Sequence, residues 1–166
     1  MSSIENFFFG MIHYFLQTNT GVQYNHTDLA QNYVANFSLN LVGNISDDPY
    51  PDLEFDEHGT SCAGVAAAVS NDVCGVGVAP LANFSGIRLL GSQPSTDANE
   101  AEALSYMNQN NLIYSNSWGP IDDGLRLEGP GTLTEAAILQ SVQNGRNGSG
   151  SIYVWAAGFV FPQFFV

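Results

Sequence analysis

The sequence predicts an α/β domain built on a mainly parallel sheet. Three observations carry this reading. From His58 onward, helix and strand patterns alternate, which is the order of a parallel sheet with crossover helices. The 166 residues are 45% apolar, with 11 Phe and 7 Tyr, enough for one domain with a substantial core. No apolar run reaches the ~18 residues that span a bilayer, so the apolar stretches belong to a core.

The elements follow in order. The first twenty residues are aromatic-rich and show no clean period, so no element is assigned to them. Phe7–Leu16 is apolar but short. It lacks a basic lead-in and a small-residue cleavage site, which makes it a poor export signal. Gly21–Asp56 is rich in Asn, Asp, Pro and Gly and reads as loops, with Asp47–Asp52 (DDPYPD) irregular. Thr60–Val69 (TSCAGVAAAV) is a run of small apolar residues and reads as a buried helix close to its neighbours. Ala82–Leu90 reads as a strand through Phe84, Ile87, Leu89 and Leu90. Asp97–Met107 is a helix with Asp97 expected as its cap and Glu100 reaching back. Leu112–Ser117 reads as a strand. Thr132–Asn144 is a helix with a Thr132/Glu135 capping box and an Asn144-Gly145 stop. Ile152–Ala157 (IYVWAA) is expected as a short buried strand. In such a sheet, functional residues sit at the carboxyl ends of strands.

Charge narrows the function classes. Sixteen acidic residues against three basic ones, all Arg, give a net charge of −13. So acidic a surface repels phosphate backbones and anionic membranes and favours cationic partners, which argues against nucleic-acid binding. Five N-x-S/T sites begin at Asn25, Asn36, Asn44, Asn83 and Asn147, a number that points to a secreted glycoprotein. Two cysteines, Cys62 and Cys74, make no disulfide framework.

The residues that carry chemistry begin at His58. His58-Gly59-Thr60-Ser61-Cys62-Ala63-Gly64 places an imidazole at a helix start, ahead of a small-residue run. An imidazole titrates near neutrality, as a general base must. Three more segments follow: CGVGVAP at 74–80, SNSWGPIDDG at 115–124 and GSIYVWAAG at 150–158. In this order, the four segments resemble the subtilisin superfamily of serine proteases, and in particular its kexin/furin branch. The resemblance implies a doubly wound α/β fold and calcium-dependent endoproteolysis after basic residues. It covers residues 21–158 and stops abruptly at both ends. The expected division is therefore 1–20 without resemblance, 21–158 as a partial peptidase domain and 159–166 as an unrelated tail.

The resemblance makes His58 the catalytic base. Its orienting partner is expected at Asn19, where the family has Asp. An amide there favours the wrong imidazole tautomer, a change that lowers turnover by about 10⁴ in serine proteases. The family's nucleophilic Ser is absent from the sequence, and Phe159 stands where the family has the oxyanion-hole Asn. The chain alone is therefore expected to be inactive. For the acidic cleft, the resemblance implies Glu100 and Glu128 against a basic side chain four residues before the scissile bond. Asp122 forms the wall of the pocket for the residue just before it, and Ser117, Trp118 and Gly119 its backbone and floor. A neighbouring carboxylate, expected three residues before the His, is Phe55 here, with Asp56 one step away.

A calcium site is implied at Asp28, Asn71 and the carbonyls of Ala68, Val73 and Gly75, since Ca²⁺ takes hard oxygens partly from a tight loop. Cys62 resembles a free Cys beside the catalytic His, and Cys74 one whose partner lies outside this chain, so the two are expected not to pair. The implied partners are basic proproteins or peptides in the secretory pathway. The longer form is compatible with a membrane anchor, although this chain carries neither a membrane segment nor a targeting signal. The alternative is a non-catalytic relative that binds basic peptides or calcium without cleaving.

Overall fold

The computed structural model describes residues 14–51, 56–120 and 128–158. Five strands form one sheet: β1 (Tyr14–Asn19), β2 (Leu39–Asn40), β3 (Asn83–Arg88), β4 (Ile113–Asn116) and β5 (Ile152–Trp155). Their order is β2-β3-β1-β4-β5 and every pairing is parallel. Three helices connect them: α1 (His58–Ala67), α2 (Asp97–Ser105) and α3 (Thr132–Gly148). The parallel α/β architecture expected from the alternation is thus present.

The central strand comes from residues to which the sequence reading assigns no element. β1 lies between β3 and β4, and Leu16, Thr18 and Asn19 are all buried. A parallel strand covered on both faces lacks the apolar/polar alternation that marks a half-buried strand. β2 is two residues long inside the segment read as loops, so it too leaves no period.

Side chains alternate between two cores. On one face Val22, Leu29, Ala63, Ala67 and Phe84 pack α1 onto the sheet. On the other, Leu16, Leu39, Leu41, Ile87, Leu89, Ala103 and Tyr114 pack beneath α2, and Tyr153 stacks on Tyr114. Helices on both faces make the sheet doubly wound. The small residues of α1 permit a close approach. A Cβ on Gly59 would lie 2.1 Å from the Gly21 carbonyl oxygen, so only glycine lets the first turn of α1 sit against the end of β1.

Three local expectations are corrected. The N-cap of α2 is Thr96, whose hydroxyl accepts from the Asn99 amide; Asp97 is not the cap. Asp97 reaches across to α3 instead and accepts from Leu133 N, Thr134 N and Thr134 Oγ1 at 2.8–3.0 Å. The Thr132/Glu135 capping box is not formed, because Gly131 is the N-cap and Asp97 takes the role. A Cβ on Gly131 would meet that carboxylate at 2.2 Å. Finally, β5 is largely exposed rather than buried, because it lies at the sheet edge with a strand on one side alone. The Asn144-Gly145 stop holds: backbone angles leave the helical region at Gly145, although the assigned range runs to Gly148.

Arg88, at the end of β3, forms a buried ion pair with Asp56 at 3.1 Å, and its Nε donates to the Thr20 carbonyl at 3.2 Å. Asp56 is thereby committed to the interior, two residues before His58.

Two predictions follow from these contacts. Asp56→Ala breaks a buried ion pair and should cost about 3–5 kcal/mol in chemical denaturation, while Arg88→Met with Asp56→Leu should recover much of it. The three hydrogen bonds to Asp97 hold its carboxyl below the ordinary 3.8. Its contribution is therefore complete above that value and lost as pH falls through the depressed one. Thermal melts of Asp97→Asn should show a lower midpoint at neutral pH and a shallower loss of stability in acid.

Candidate active site

The sheet has a topological switch point. From β1 the chain builds β2 and β3 on one side, then crosses to build β4 and β5 on the other. The crevice at the carboxyl ends of β1 and β4 is where such folds bind ligands. Asn19 is the last residue of β1, Ser117 follows the last residue of β4, and His58 opens α1 above them.

These three residues meet. His58 Nδ1 lies 3.2 Å from Asn19 Oδ1. The Asn19 amide is oriented by two backbone groups whose roles are fixed. Thr20 N–H donates to Oδ1 at 2.8 Å, and Nδ2 donates to the Ser117 carbonyl at 3.2 Å. An amide nitrogen cannot accept and a carbonyl cannot donate, so Oδ1 must face His58. With Nδ1 protonated this contact is a hydrogen bond and Nε2 keeps its lone pair. The backbone thus turns the amide oxygen to the ring, which favours the tautomer a base needs, where the sequence led to the expectation of the other.

On the other side of the ring, Cys62 Sγ lies 3.7 Å from Nε2. The i, i+4 spacing on one helix brings them together, a signal already present in the sequence. His58 is exposed and Cys62 half-buried, while Asn19 is 1% exposed. Thr20 and Thr60 complete the support. Gly59 N donates to Thr20 Oγ1 at 3.4 Å, and Thr60 Oγ1 accepts from Gln23 N at 2.9 Å. Thr20 and Thr60 were missed in the sequence, because nothing marks a supporting hydroxyl there.

The expected substrate residues fall on two cavities. Glu100, Trp118, Gly119 and Glu128 line one cavity of about 740 Å³, together with Trp155 and Thr134. Two carboxylates from distant parts of the sequence thus share one space. Glu100 Oε1 accepts from Ser95 Oγ at 2.5 Å, and Trp155 Nε1 donates to the Trp118 carbonyl at 2.8 Å. The Trp118 and Trp155 rings meet edge-on at 4.9 Å. Ser117 lies off this cavity and lines a second one of about 810 Å³ with His58 and Cys62. Asp122, Phe55 and Phe159 lie outside the described residues.

The expected calcium residues partly converge. Asn71 Nδ2 donates to Asp28 Oδ1 at 2.8 Å, and Asn71 Oδ1 accepts from Val73 N at 2.9 Å. The Ala68 carbonyl accepts from Gly77 N. Asp28 is 6% exposed and its carboxylate meets a neutral amide. Two of the expected oxygen donors, Asn71 Oδ1 and the Ala68 carbonyl, thus already accept from backbone amides, and among the described residues no cluster of three His, Cys, Asp or Glu side chains exists. Cys62 and Cys74 are not joined to each other.

With the geometry in place, comparison with known proteins fixes the family. The model of the subtilase family matches residues 18–160. The chain belongs to the subtilase family. It is 52% identical over 138 residues to the dibasic-processing endoprotease of Schizosaccharomyces pombe, covering 83% of this chain and 19% of that protein. It is 49% identical over 144 residues to neuroendocrine convertase 2 of Mus musculus, covering 83% and 22%. The subtilase chain thus spans about a fifth of these relatives' length. Among solved structures, the serine protease of Aeromonas sobria superposes with a TM-score of 0.75 at 28% identity, over 91% of this chain and 26% of that one.

The tautomer is directly testable. Nitrogen-15 spectra of His58 should show a protonated Nδ1 and an unprotonated Nε2 in the neutral ring. Asn19→Leu should shift the ring toward the other tautomer, and Asn19→Asp should not.

Proposed function

We propose that this subtilase chain is a segment of a calcium-dependent serine endopeptidase of the kexin/furin type, which processes proproteins after paired basic residues. The observation that carries this is the pair Glu100 and Glu128 in one cavity beside Trp118 and Gly119. Two carboxylates can grip a guanidinium or ammonium group by charge-assisted hydrogen bonds. The net charge of −13 steers such ligands toward the cleft. The names of the two relatives, a dibasic-processing endoprotease and a convertase, support the same substrate class.

In this reading His58 is the general base. Its Nε2 takes a proton from the attacking nucleophile and returns it to the leaving amine. Asn19 holds the ring by Nδ1, where relatives of this type use a carboxylate that also stabilises the imidazolium. An uncharged amide supplies orientation without that charge, so turnover through this site is expected to be low. Asp122 is assigned to the pocket for the residue before the scissile bond, with Ser117, Trp118 and Gly119 around it. The peptidase unit runs over residues 21–158, with β1 entering it from residue 14.

Calcium is assigned to Asp28, Asn71 and the carbonyls of Ala68, Val73 and Gly75. The ion would bridge the end of α1 to the segment carrying Asp28 and rigidify the loop between them. The setting proposed is the secretory pathway, where the sites at Asn25, Asn36, Asn44 and Asn147 are exposed for glycosylation. Asn83 begins β3 and is half-buried, with Ser85 1% exposed, so it should stay unmodified. A second reading, a domain that binds basic peptides without cleaving them, is favoured by one observation. Among the described residues, His58 Nε2 is contacted by the Cys62 thiol rather than by a serine hydroxyl.

Fluorescence anisotropy with an Arg-Arg peptide tests the cleft. Glu100→Gln with Glu128→Gln should weaken binding about tenfold or more, given about 1.5–3 kcal/mol per charged hydrogen bond. Unchanged affinity would remove both carboxylates from the basic-residue site.

A further inference from the structure

The second cavity contains a thiol that the proposed endopeptidase does not use, set against the imidazole and amide that it does. Cys62 Sγ, His58 and Asn19 stand in sequence: thiol to Nε2 at 3.7 Å, then Nδ1 to the amide oxygen at 3.2 Å. Ser61, Ser115 and Ser117 line the same groove, yet among the described residues none is hydrogen-bonded to His58. The amide is fixed from behind by Thr20 N–H and the Ser117 carbonyl and turns its oxygen to Nδ1, which favours a proton there and leaves Nε2 as the acceptor. That nitrogen faces the thiol.

The groove next to Sγ is apolar. Val65, Val78, Ile113 and Val154 line it, and Val65, Val78 and Val154 are exposed. It lies between α1 and the β5 edge of the sheet: Ile113 of β4 packs against the cluster beneath α1, while Val154 of β5 is exposed. At about 810 Å³ it has room for a short acyl chain with its carbonyl against the thiol.

We propose that Cys62, His58 and Asn19 form a thiol–imidazole–amide unit that acylates Cys62 from activated esters of short apolar acids. Thiol, imidazole and amide in this order are the arrangement of cysteine proteases of the papain type, reached here on a subtilase fold with base and nucleophile one helical turn apart. The step balances without a further reactant. Sγ–H gives its proton to His58 Nε2 as the sulfur attacks the ester carbonyl carbon. The S–C bond forms and the C–O bond breaks. The departing oxide leaves with the bonding pair and takes the proton from Nε2. The products are a thioester on Cys62 and an alcohol or phenol.

The test uses the 166-residue chain and 4-nitrophenyl hexanoate, with release of 4-nitrophenol followed and the acylated cysteine located by peptide mass spectrometry. Cys74 is free and exposed, with no imidazole contact among the described residues, so it serves as an internal reference in every variant. Cys62 should acylate about a hundredfold faster than Cys74, the scale of general-base assistance. A Cys62 rate within about tenfold of the Cys74 rate would overturn the proposal. His58→Gly should bring Cys62 down to the reference rate, and added imidazole should restore it. An unchanged rate, or no rescue, would also overturn it. Asn19→Leu should slow Cys62 relative to Cys74 and Asn19→Asp should not; equal rates in both variants would overturn the role given to the amide. Because the readout is the cysteine itself, the outcome is independent of whether the acidic cleft binds basic peptides.

Discussion

The side-chain amide of Asn19 holds three backbone segments at one point. Its oxygen accepts from the next residue of its own strand and faces the ring of His58, and its nitrogen ties the end of β4 to the end of β1. Gly59 permits this by letting α1 rest on the Gly21 carbonyl. A side chain on Gly59 would lift the helix, and with it the imidazole, away from the amide. The tautomer of His58, its distance to Asn19 and the alignment of the two central strands therefore depend on a single contact of a few ångströms.

Charge is used with economy in this chain. Of three basic residues, Arg88 is buried and spent on Asp56, joining β3 to the turn that precedes His58. A buried pair of this kind is weak evidence of net stability but helps fix register, since removing either partner breaks a buried charge pair. The remaining carboxylates are left largely uncompensated. Glu100 and Glu128, brought to one cavity from α2 and from the segment before α3, are the part of that surplus with a geometry.

Much of the fold was legible in the sequence, and the exceptions have physical causes. α1, α2, β3, β4 and α3 follow from small-residue runs, capping signals and apolar strands. β1 was not legible, because a central parallel strand is buried on both faces and carries no period. Asp97 was read as the cap of its own helix because capping is recognised from local spacing, and its partners lie 36 and 37 residues downstream. In the site, the HGTSCAG motif located His58, and the family resemblance set Cys62 beside it; the i, i+4 spacing carries the same information. The orientation of the Asn19 amide was not legible. It is set by the Ser117 carbonyl, 98 residues away, and a backbone carbonyl has no sequence signature.

The bond from Asp97 to the first turn of α3 also has a dynamic meaning. The amides that open a helix are its least protected, and here two of them are closed by a residue on another helix. α2 and α3 consequently form one opening unit, in which fraying of the first exposes the start of the second. Glu100 on α2 and Thr134 on α3 both face the acidic cavity, so its two walls loosen or tighten in the same event. A cationic group bound between them would slow amide exchange at Leu133 and Thr134 without touching either amide.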